Sequence, residues 1–213
     1  MSARRRKYTD FIRAHGVLIF ALYTVRKLFF AVYKYSFRRC GRIFIVGSFR
    51  FTGKRWIEIG SLSLGRRVRM DAVAGPEGSP PPSIVIGNGV SFGDDIHIGC
   101  TGRIEIGNQV LGGSHIYITD HDHGIYAGDM PHSDPAVAPA ARQVTERGAV
   151  VIGDNVFLGE YVTVTKNVTI GSGAVIGAMS LVTRDVPPNT IAAGNPARVI
   201  KRFDDATRRW VRP

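Results

Sequence analysis

Aliphatic residues recur at every sixth position through the second half of the chain. The register is unbroken at Ile152, Leu158, Val164, Ile170, Ile176 and Val182. The same spacing occurs earlier at Ile86, Phe92 and Ile98, and after a slip of two residues at Ile106, Gly112 and Ile118. An amphipathic helix would require apolar spacings of three and four, and a hairpin sheet would alternate and then turn. A period of six instead predicts a solenoid of short strands and tight corners, whose aliphatic side chains stack inside.

The length of the chain suits one such solenoid with an appendage at each end. A chain of 213 residues is of ordinary size for a single domain. A fainter six-residue spacing at Ile45, Phe51 and Ile57 extends the solenoid towards the N-terminus. We therefore predict an all-β domain at residues 43–202, preceded by a segment at 1–42 and followed by a tail at 203–213. Asp204 and Asp205 would suit the N-terminal end of a helix dipole, so the tail could form a short helix.

Positive charge is concentrated in the segment 1–42. The formal net charge of the chain is +11, and this segment holds eleven basic side chains and one acid, so it carries ten of the eleven net charges. Its apolar run from Val17 to Val25 is interrupted by Arg26 and Lys27. The run is too short to cross a bilayer, which requires about 20 apolar residues. The segment also lacks the cleavage site of a signal peptide.

Three interpretations of this segment remain open. It could be a basic, aromatic-rich amphipathic helix that lies on an anionic membrane surface. It could pack against the solenoid or against an oligomer partner. It could also be an arm that binds nucleic acid, but its apolar side, with Leu18, Leu22 and Phe29, is poorly suited to phosphate contact alone. We therefore expect peripheral membrane contact and no nucleic-acid partner.

The repeat is interrupted by a long loop that begins with "ITDHDHG". Regular spacing stops at Ile118 and resumes at Val150, which predicts a protruding loop at 119–149. A loop of this length in a compact domain is usually functional or disordered. The quartet Asp120, His121, Asp122 and His123 at its start is compatible with a solvated turn, a metal site or a general base. Because histidine titrates near neutral pH, it is the residue type that most readily accepts a proton from an attacking hydroxyl group.

Two stretches resemble the hexapeptide-repeat acyltransferases, which fold as left-handed parallel β-helices. They are "VVIGDNVFLGEYVTVTKNVTIGSGAVIGAMSLVTRDVPPNTIAAGNPARVIKRF" and the interruption "ITDHDHG". Within that superfamily the chain is most similar to the maltose, galactoside and xenobiotic acetyltransferase branch and to polysaccharide O-acetyltransferases. The expected left hand of the solenoid comes from the resemblance alone, because parallel crossovers in general prefer the right hand.

The resemblance implies roles for the residues around the interruption. His121 aligns with the catalytic histidine of the family, and either Asp120 or Asp122 could orient its ring. His123 is the nearest rival as the base. We predict that His123, His97 and Tyr126 contact the substrate.

The resemblance also implies an acetyl-CoA site in a groove between neighbouring β-helices, and hence a homotrimer. The matching positions are Phe157, Gly159, Ala178, Thr183, Arg184, Arg198 and Lys201. Phe157 stands where relatives often carry tryptophan. Glu160 departs from the small or polar residue found after the glycine in relatives.

A zinc site is the main competing interpretation of the histidines. His97, His115, His121 and His123 lie within two predicted coils, and zinc binds histidine readily. The segment "NPARVIKRF" resembles the acyltransferases instead, so no metal is expected. Cys40 and Cys100 form neither a metal-type pair nor a disulfide framework, which favours a reducing compartment.

The resemblance implies an acetyl-CoA-dependent O-acetyltransferase whose acceptor is a sugar hydroxyl in a surface polysaccharide or a lipopolysaccharide, and the basic N-terminal segment adds their lipid-linked precursor as an acceptor. The alternatives are transfer to a free small molecule, a zinc-dependent hydratase and an inactive scaffold. The expected location is the cytoplasm, at the cytoplasmic face of the inner membrane.

Overall fold

A computed structural model describes residues 13–14, 16–75, 80–129, 131–144 and 148–213. Its long helix, α1, is Val17–Tyr33, and short 3-10 turns occur at Lys34–Ser36, Lys54–Trp56 and Pro139–Ala141. The strands are β1 Arg39–Ile45, β2 Phe49–Thr52, β3 Ile57–Leu64, β4 Val68–Ala72, β5 Ser83–Ile86, β6 Val90–Phe92, β7 His97–Cys100, β8 Arg103–Ile106, β9 Leu111–Gly112, β10 Tyr117–Thr119, β11 Ala149–Ile152, β12 Phe157–Leu158, β13 Thr163–Val164, β14 Val168–Ile170, β15 Val175–Ile176, β16 Leu181–Val182, β17 Thr190–Gly194, β18 Ala197–Asp204 and β19 Arg209–Val211.

The strands from β1 to β17 form a left-handed parallel β-helix, as predicted. These strands pair in parallel with strands of adjacent coils and not with their neighbours in sequence, except that β17 also pairs antiparallel with β18. The strand β3 is long enough to serve two faces: its first half pairs with β5 and its second half with β6. The third face is a separate sheet in the order β16-β13-β10-β7-β4-β2.

The six-residue spacing corresponds to three interior rows, one behind each face. The rows are Ile86, Ile106, Ile152 and Ile170; Phe92, Gly112, Leu158 and Ile176; and Ile98, Ile118, Val164 and Val182. All of the side chains other than Gly112 are at most 3% exposed, which confirms the predicted inward stacking. Burial of each aliphatic side chain contributes about 1.5–3 kcal/mol, so these rows are the main source of stability.

Gly112 interrupts its row because the neighbouring coil carries a larger side chain. A Cβ atom at Gly112 would overlap Cδ1 and Cε1 of Phe92. The ring of Phe92 therefore fills the space that an aliphatic side chain at position 112 would need. The two coils keep their strand spacing because one large residue faces one without a side chain.

The corners of the β-helix repeat with the same period as its core. Asn155, Tyr161, Asn167 and Met179 have φ angles of 57–58°, and Gly173 occupies the same position in the series with φ 72°. Asparagine and glycine adopt this left-handed conformation at little cost, whereas Tyr161 and Met179 accept some strain. The chain therefore turns at every sixth residue in this part of the β-helix, which keeps the interior rows in register.

The helix α1 packs over the first coil. Phe30 is buried in an aromatic cluster with Tyr33, Phe44 and Phe49. The guanidinium group of Arg26 donates hydrogen bonds to the carbonyl oxygens of Ile45 and Gly47, at the edge of that coil. Packing against the solenoid, one of the predicted alternatives, is therefore present.

Part of the N-terminal segment faces away from the solenoid. Leu18, Leu22, Val25 and Leu28 are each more than 60% exposed. None of the helices in the described part of the chain is long and apolar enough to cross a membrane. The basic run at 4–7, which contributes to the predicted polybasic segment, lies outside the described residues.

The predicted short helix in the C-terminal tail is wrong. The strand β18 continues to Asp204, and β19 returns antiparallel to it. The carboxylate of Asp204 accepts hydrogen bonds from the N–H of Ala206 at 3.0 Å and from the hydroxyl of Thr207 at 2.7 Å. Asp204 thus closes a tight turn, and Phe203 packs edge-on against Trp210 at 5.3 Å between ring centres. The division of the chain at residues 42 and 202 stays a prediction.

Candidate active site

The long loop leaves the β-helix at Asp120, immediately after β10. The N–H of Asp120 donates to the carbonyl of Gly99 at 3.4 Å, and its own carbonyl accepts from the N–H of Gly148 at 3.0 Å. The two ends of the loop are therefore tied together at this residue. A bridge between His123 and Val144 continues the pairing into the loop. Residues at the start of the loop are consequently held by the rigid coil beneath them.

Asp120 is a buried carboxylate with a full set of donors. Its side chain is 0% exposed. Oδ1 accepts from the N–H of Thr101 at 2.9 Å, and Oδ2 accepts from the N–H of Gly102 at 2.7 Å and from the thiol of Cys100 at 3.2 Å. Burial alone would raise the pKa of Asp120, but the hydrogen bonds from His121 and from these backbone groups outweigh it and hold the pKa below its ordinary value.

The buried carboxylate fixes the ring of His121. Nδ1 of His121 lies 2.9 Å from Oδ1 of Asp120, and the hydroxyl of Thr119 lies 3.4 Å from the same nitrogen. Because the ionised Asp120 can only accept, this pairing assigns the ring hydrogen to Nδ1. Nε2 then keeps its lone pair, and it can take a proton from a group in front of the ring.

Gly99 provides the floor on which the two histidine rings rest. A Cβ atom there would lie 3.3 Å from Cε1 of His121 and 3.8 Å from Nε2 of His97. A side chain at this position would crowd the ring of His121 and would contact that of His97. The absence of one lets the ring of His121 lie over the strand β7.

His121 opens onto a cavity of about 540 Å³ on the third face of the β-helix. Its lining includes His97, Gly99, Tyr117, Thr119, His121 and His123. The ring centres of His121 and His123 are 6.3 Å apart, and those of His97 and Tyr117 are 5.0 Å apart. The structure thus brings His97 and His123, both predicted to contact substrate, to the same cavity as His121.

Two other predicted residues make different contacts: Asp122 lines this cavity but is paired with a lysine, and Tyr126 is not part of the lining. Nζ of Lys166 lies 2.9 Å from the carboxylate of Asp122, whose side chain is 45% exposed. Asp120 and not Asp122 contacts the ring of His121. The hydroxyl of Tyr126 donates to the carbonyl of His123 and accepts from Arg142 at 2.8 Å. Tyr126 therefore braces the loop and does not line the cavity formed by the described residues.

Phe157 and Gly159, two of the residues predicted to bind acetyl-CoA, lie on or beside the second face. The side chain of Phe157 is 42% exposed on the second face, in a cross-strand row with Leu111 and Val175. A Cβ atom at Gly159 would lie 2.6 Å from the backbone nitrogen of Ala178, so close packing of the coils requires this glycine.

The remaining predicted contacts lie near the C-terminal end of the β-helix. Thr183 and Arg184 follow β16, whereas Arg198 and Lys201 pair across β17 and β18 with Ala193 and Ile191. None of these predicted contacts lines the cavity around His121 in the described part of the chain. Within a single chain, therefore, the residues predicted to bind acetyl-CoA do not lie beside the predicted general base.

Charged residues that the sequence did not identify form one wall of the cavity. The cross-strand register places Arg50 beside Arg69, and Arg69 beside His97. The next outward position carries Asp71, which is 6% exposed. Strand alternation in "FRFT" and "VRMDA" gives the outward direction of these side chains. It does not give their proximity to His121, because the connections between coils differ in length.

Electrostatic interactions along this wall shift two pKa values. Burial would raise the pKa of Asp71, but hydrogen bonds from Thr52 and Arg69 and the charges of Arg69 and Arg50 hold it below its ordinary value. Burial lowers the pKa of His97, and the positive charge of Arg69 lowers it further. His97 is therefore neutral near pH 7, and Asp71 is ionised.

The histidines do not converge as metal ligands. His115 lies at a corner, where its Nδ1 is 3.5 Å from Oδ2 of Asp95 and its ring centre is 4.3 Å from that of Tyr161. Within the described ranges no group of three or more His, Cys, Asp or Glu side chains is arranged to hold a metal ion.

Comparison with known proteins gives matches of three kinds. The profile of the bacterial transferase hexapeptide family (six repeats) matches residues 149–184. The chain is 41% identical over 127 residues to a putative lipopolysaccharide biosynthesis O-acetyl transferase, WbbJ, of Escherichia coli K12, which covers 60% of the chain and 64% of that protein. It is 34% identical over 131 residues to the galactoside O-acetyltransferase of the same organism, which covers 56% of the chain and 60% of that protein. The chain thus spans less than two thirds of the length of these curated relatives.

Among solved structures, AntD, an N-acyltransferase from Bacillus cereus, shares the fold. A crystal structure of a point mutant of AntD with dTDP-4-amino-4,6-dideoxyglucose and coenzyme A has a TM-score of 0.65 to this chain. The match covers 83% of this chain and 90% of that one, at 19% identity. A likeness at this level of identity concerns the β-helix and its appended elements.

Proposed function

The chain belongs to the hexapeptide-repeat transferase superfamily, and we propose on that premise that it moves an acetyl group from acetyl-CoA to a hydroxyl group of a sugar. The observation that carries the proposal is the pairing of His121 with the buried Asp120, at 2.9 Å, on the floor of a cavity. A histidine held in this way has the tautomer that a general base requires.

His121 would act on both proton transfers of the reaction. Nε2 takes the proton of the acceptor hydroxyl as the oxygen attacks the thioester carbonyl. When the carbon–sulfur bond breaks, the protonated ring gives that proton to the departing sulfur, so the products are an acetyl ester and the free thiol of CoA. General base catalysis of this kind contributes on the order of 10²–10⁴-fold to the rate. Asp120 keeps the ring oriented and stabilises its charged form.

A sugar in a surface polysaccharide or a lipopolysaccharide is the proposed acceptor. The support is the 41% identity to a relative whose name assigns it to lipopolysaccharide biosynthesis. The relative at 34% identity is named for transfer to galactosides, so a free sugar is the second candidate. Both candidates present a hydroxyl group to the same base.

Acetyl-CoA would bind in a groove between neighbouring chains of a homotrimer. The separation of Phe157, Gly159 and Ala178 from the cavity of His121 within one chain supports this arrangement, because a neighbouring copy must then supply the donor site. Phe157 offers an exposed ring to the apolar arm of the cofactor. Arg198 and Lys201 offer positive charge to its phosphates.

The helix α1 would hold the protein at an anionic membrane surface. Leu18, Leu22, Val25 and Leu28 are exposed, and the N-terminal segment carries most of the net charge. Phe30 is not available to lipid, since it is buried against the first coil. Exposed apolar and basic groups together favour binding to such a surface.

Release of free thiol from acetyl-CoA, measured with a panel of sugar acceptors, tests the proposed reaction. We expect release that depends on acceptor, and mass spectrometry should show one added acetyl group that hydroxylamine removes, as expected for an ester. A product that resists hydroxylamine would indicate an amide and exclude O-acetylation. Thiol release with no acceptor in the panel, while acetyl-CoA binds, would count against the proposed acceptor class.

A further inference from the structure

Two arginines share a single buried carboxylate beside the cavity that contains His121: Arg69 and Asp71 line that cavity, and Arg50 lies on the neighbouring strand. Arg50 and Arg69 are paired residues of the adjacent strands β2 and β4, and the side chain of Asp71 is 8% exposed. Nε of Arg69 donates to Oδ2 of Asp71, and Nη2 of Arg50 lies 3.5 Å from the same oxygen. Asp71 therefore holds both guanidinium groups in place.

Within the described ranges, this arrangement leaves one positive charge uncompensated. By contrast, Arg66 pairs with Asp94 at 2.8 Å and Arg67 with Asp95 at 2.5 Å, at a corner away from the cavity. In those pairs each cation has its own anion. Beside the cavity, the two cations Arg50 and Arg69 share one anion, so the pair attracts a further negative group.

The guanidinium groups also have donors to spare. The side chains of Arg50 and Arg69 are 62% and 52% exposed, and Asp71 engages Nε of one and Nη2 of the other. Neighbouring strands are about 4.8 Å apart, so the backbones that carry the two arginines are one strand spacing from each other, and their guanidinium groups meet at the same oxygen of Asp71. Planar guanidinium groups at this spacing suit an oxyanion with several acceptor oxygens, because each can donate two parallel hydrogen bonds.

The other charged groups that the structure describes around the cavity do not cancel this excess. Asp122 lines the same cavity, but it is paired with Lys166 at 2.9 Å. Asp120 lies beneath the ring of His121, where it is fully buried and accepts hydrogen bonds from the backbone. His97 stands between Arg69 and Tyr117 in the cross-strand row and adds no charge near pH 7.

We infer that Arg50 and Arg69 form a subsite for an anionic group, a phosphate or a carboxylate, which the acceptor carries close to the hydroxyl that is acetylated. The inference deepens the proposed function, because it narrows the acceptor from sugars in general to charged ones. Arg69 lines the same cavity as His121, so an acceptor anchored there would present a neighbouring hydroxyl to the base. Phosphate would point to a phosphorylated or diphosphate-linked sugar, and carboxylate to an acidic sugar.

Calorimetry on the full chain tests the subsite without relying on turnover. Sodium pyrophosphate and sodium glucuronate are titrated separately into the wild type, Arg50→Gln, Arg69→Gln and Arg66→Gln. We expect at least one anion to bind, and each substitution of the pair to weaken binding by roughly tenfold or more, as for the loss of a charge-assisted hydrogen bond. Arg66→Gln removes an equal charge at the corner and should leave binding unchanged.

The same titrations show which anion the subsite binds and which results would contradict the inference. Preference for pyrophosphate or for glucuronate identifies the group. Binding of neither anion, or equal weakening by Arg66→Gln, would overturn the inference. Arg69→Lys keeps the positive charge but loses the planar guanidinium group with its two parallel donors. This variant should therefore bind the anion more weakly than the wild type and more tightly than Arg69→Gln. Circular dichroism of each variant confirms that the fold is retained.

Kinetics separate the failure of the subsite from the failure of the proposed function. With galactose 1-phosphate, glucuronate and methyl galactoside as acceptors, the wild type should show a lower KM for a charged acceptor, and Arg69→Gln should reduce that preference. Thiol release with equal KM for charged and neutral acceptors would overturn the inference and leave the transferase intact. Anion binding that depends on Arg50 and Arg69, without thiol release from any acceptor, would overturn the proposed reaction and retain the subsite.

Discussion

Replacing Asp120 by asparagine tests how the active ring is held. The substitution keeps the size of the side chain and removes its charge. Asp120 faces three N–H donors: Nδ1 of His121 at 2.9 Å, the N–H of Thr101 at 2.9 Å and the N–H of Gly102 at 2.7 Å. An asparagine has one oxygen and one NH2 group, so it cannot accept from both sides at once.

Either orientation of that asparagine carries a cost. If its NH2 group faces Gly102, two donors oppose each other in a buried site, and we expect a loss of about 1–3 kcal/mol in the free energy of unfolding. If its NH2 group faces His121, Nδ1 becomes the acceptor and the hydrogen moves to Nε2, so the ring cannot take a proton from the acceptor. We therefore expect kcat to fall by roughly 10²–10⁴-fold, with little change in binding of acetyl-CoA.

Thiol release under saturating substrates measures kcat, and thermal unfolding measures stability. The matched comparison is Asp122→Asn, because Asp122 pairs with Lys166 and not with the ring. Asp120→Asn should reduce kcat at least tenfold more than Asp122→Asn does, since only the former disturbs the tautomer. Equal effects of the two substitutions, or a larger effect at Asp122, would refute the assignment of Asp120 as the orienting acid.

Three further predictions concern the fold and its surroundings. The pKa values of Asp71 and Asp120 in the folded chain lie below the ordinary 3.8, so their stabilisation is complete well above pH 3.8 and is lost as the pH falls from 3.8 through those lower values; melting temperatures should drop over that range, and less steeply in Asp71→Asn. Gly112→Val should lower the free energy of chemical unfolding by about 1–3 kcal/mol, because the new side chain would overlap the ring of Phe92. Adding Phe92→Leu to this variant should recover part of the loss, and additive effects of the two substitutions would contradict the close contact. The full chain should sediment with vesicles that contain phosphatidylserine, and Leu22→Ser should reduce the fraction of protein that stays bound at high salt. Sedimentation that depends neither on phosphatidylserine nor on Leu22 would remove the support for membrane contact.

The sequence predicts the solenoid well because its core is periodic. Every interior row follows from the six-residue spacing, since each coil repeats the same geometry and the corners reset the register. The interruption after Ile118 could be placed for the same reason. The C-terminal hairpin was mistaken for a helix because Asp204 serves a turn as readily as a helix start.

The site is less predictable, because its contacts join residues of different coils. Asp120 and Asp122 flank His121 alike in the sequence. Only the donors of Thr101 and Gly102, contributed by the preceding coil, bury one acid and leave the other exposed. Arg69 is the cross-strand partner of His97, and Arg50 is the cross-strand partner of Arg69. The stretch of chain between Arg69 and His97, which includes residues 76–79, differs in length from the stretch between Arg50 and Arg69. No fixed period could have predicted that Arg69 lines the cavity and that Arg50 lies beside it.

Single-turnover thiol release by His121→Ala tests the central claim most directly. The variant should retain the assembly and the acetyl-CoA affinity of the wild type, because His121 belongs to neither the interior rows nor the predicted cofactor contacts. The account predicts that transfer to the acceptor slows by roughly 10²–10⁴-fold, with a smaller loss in the matched variant His123→Ala. A rate for His121→Ala within about threefold of the wild type would remove this residue from the mechanism, and a dominant loss in His123→Ala would assign the base to His123 instead.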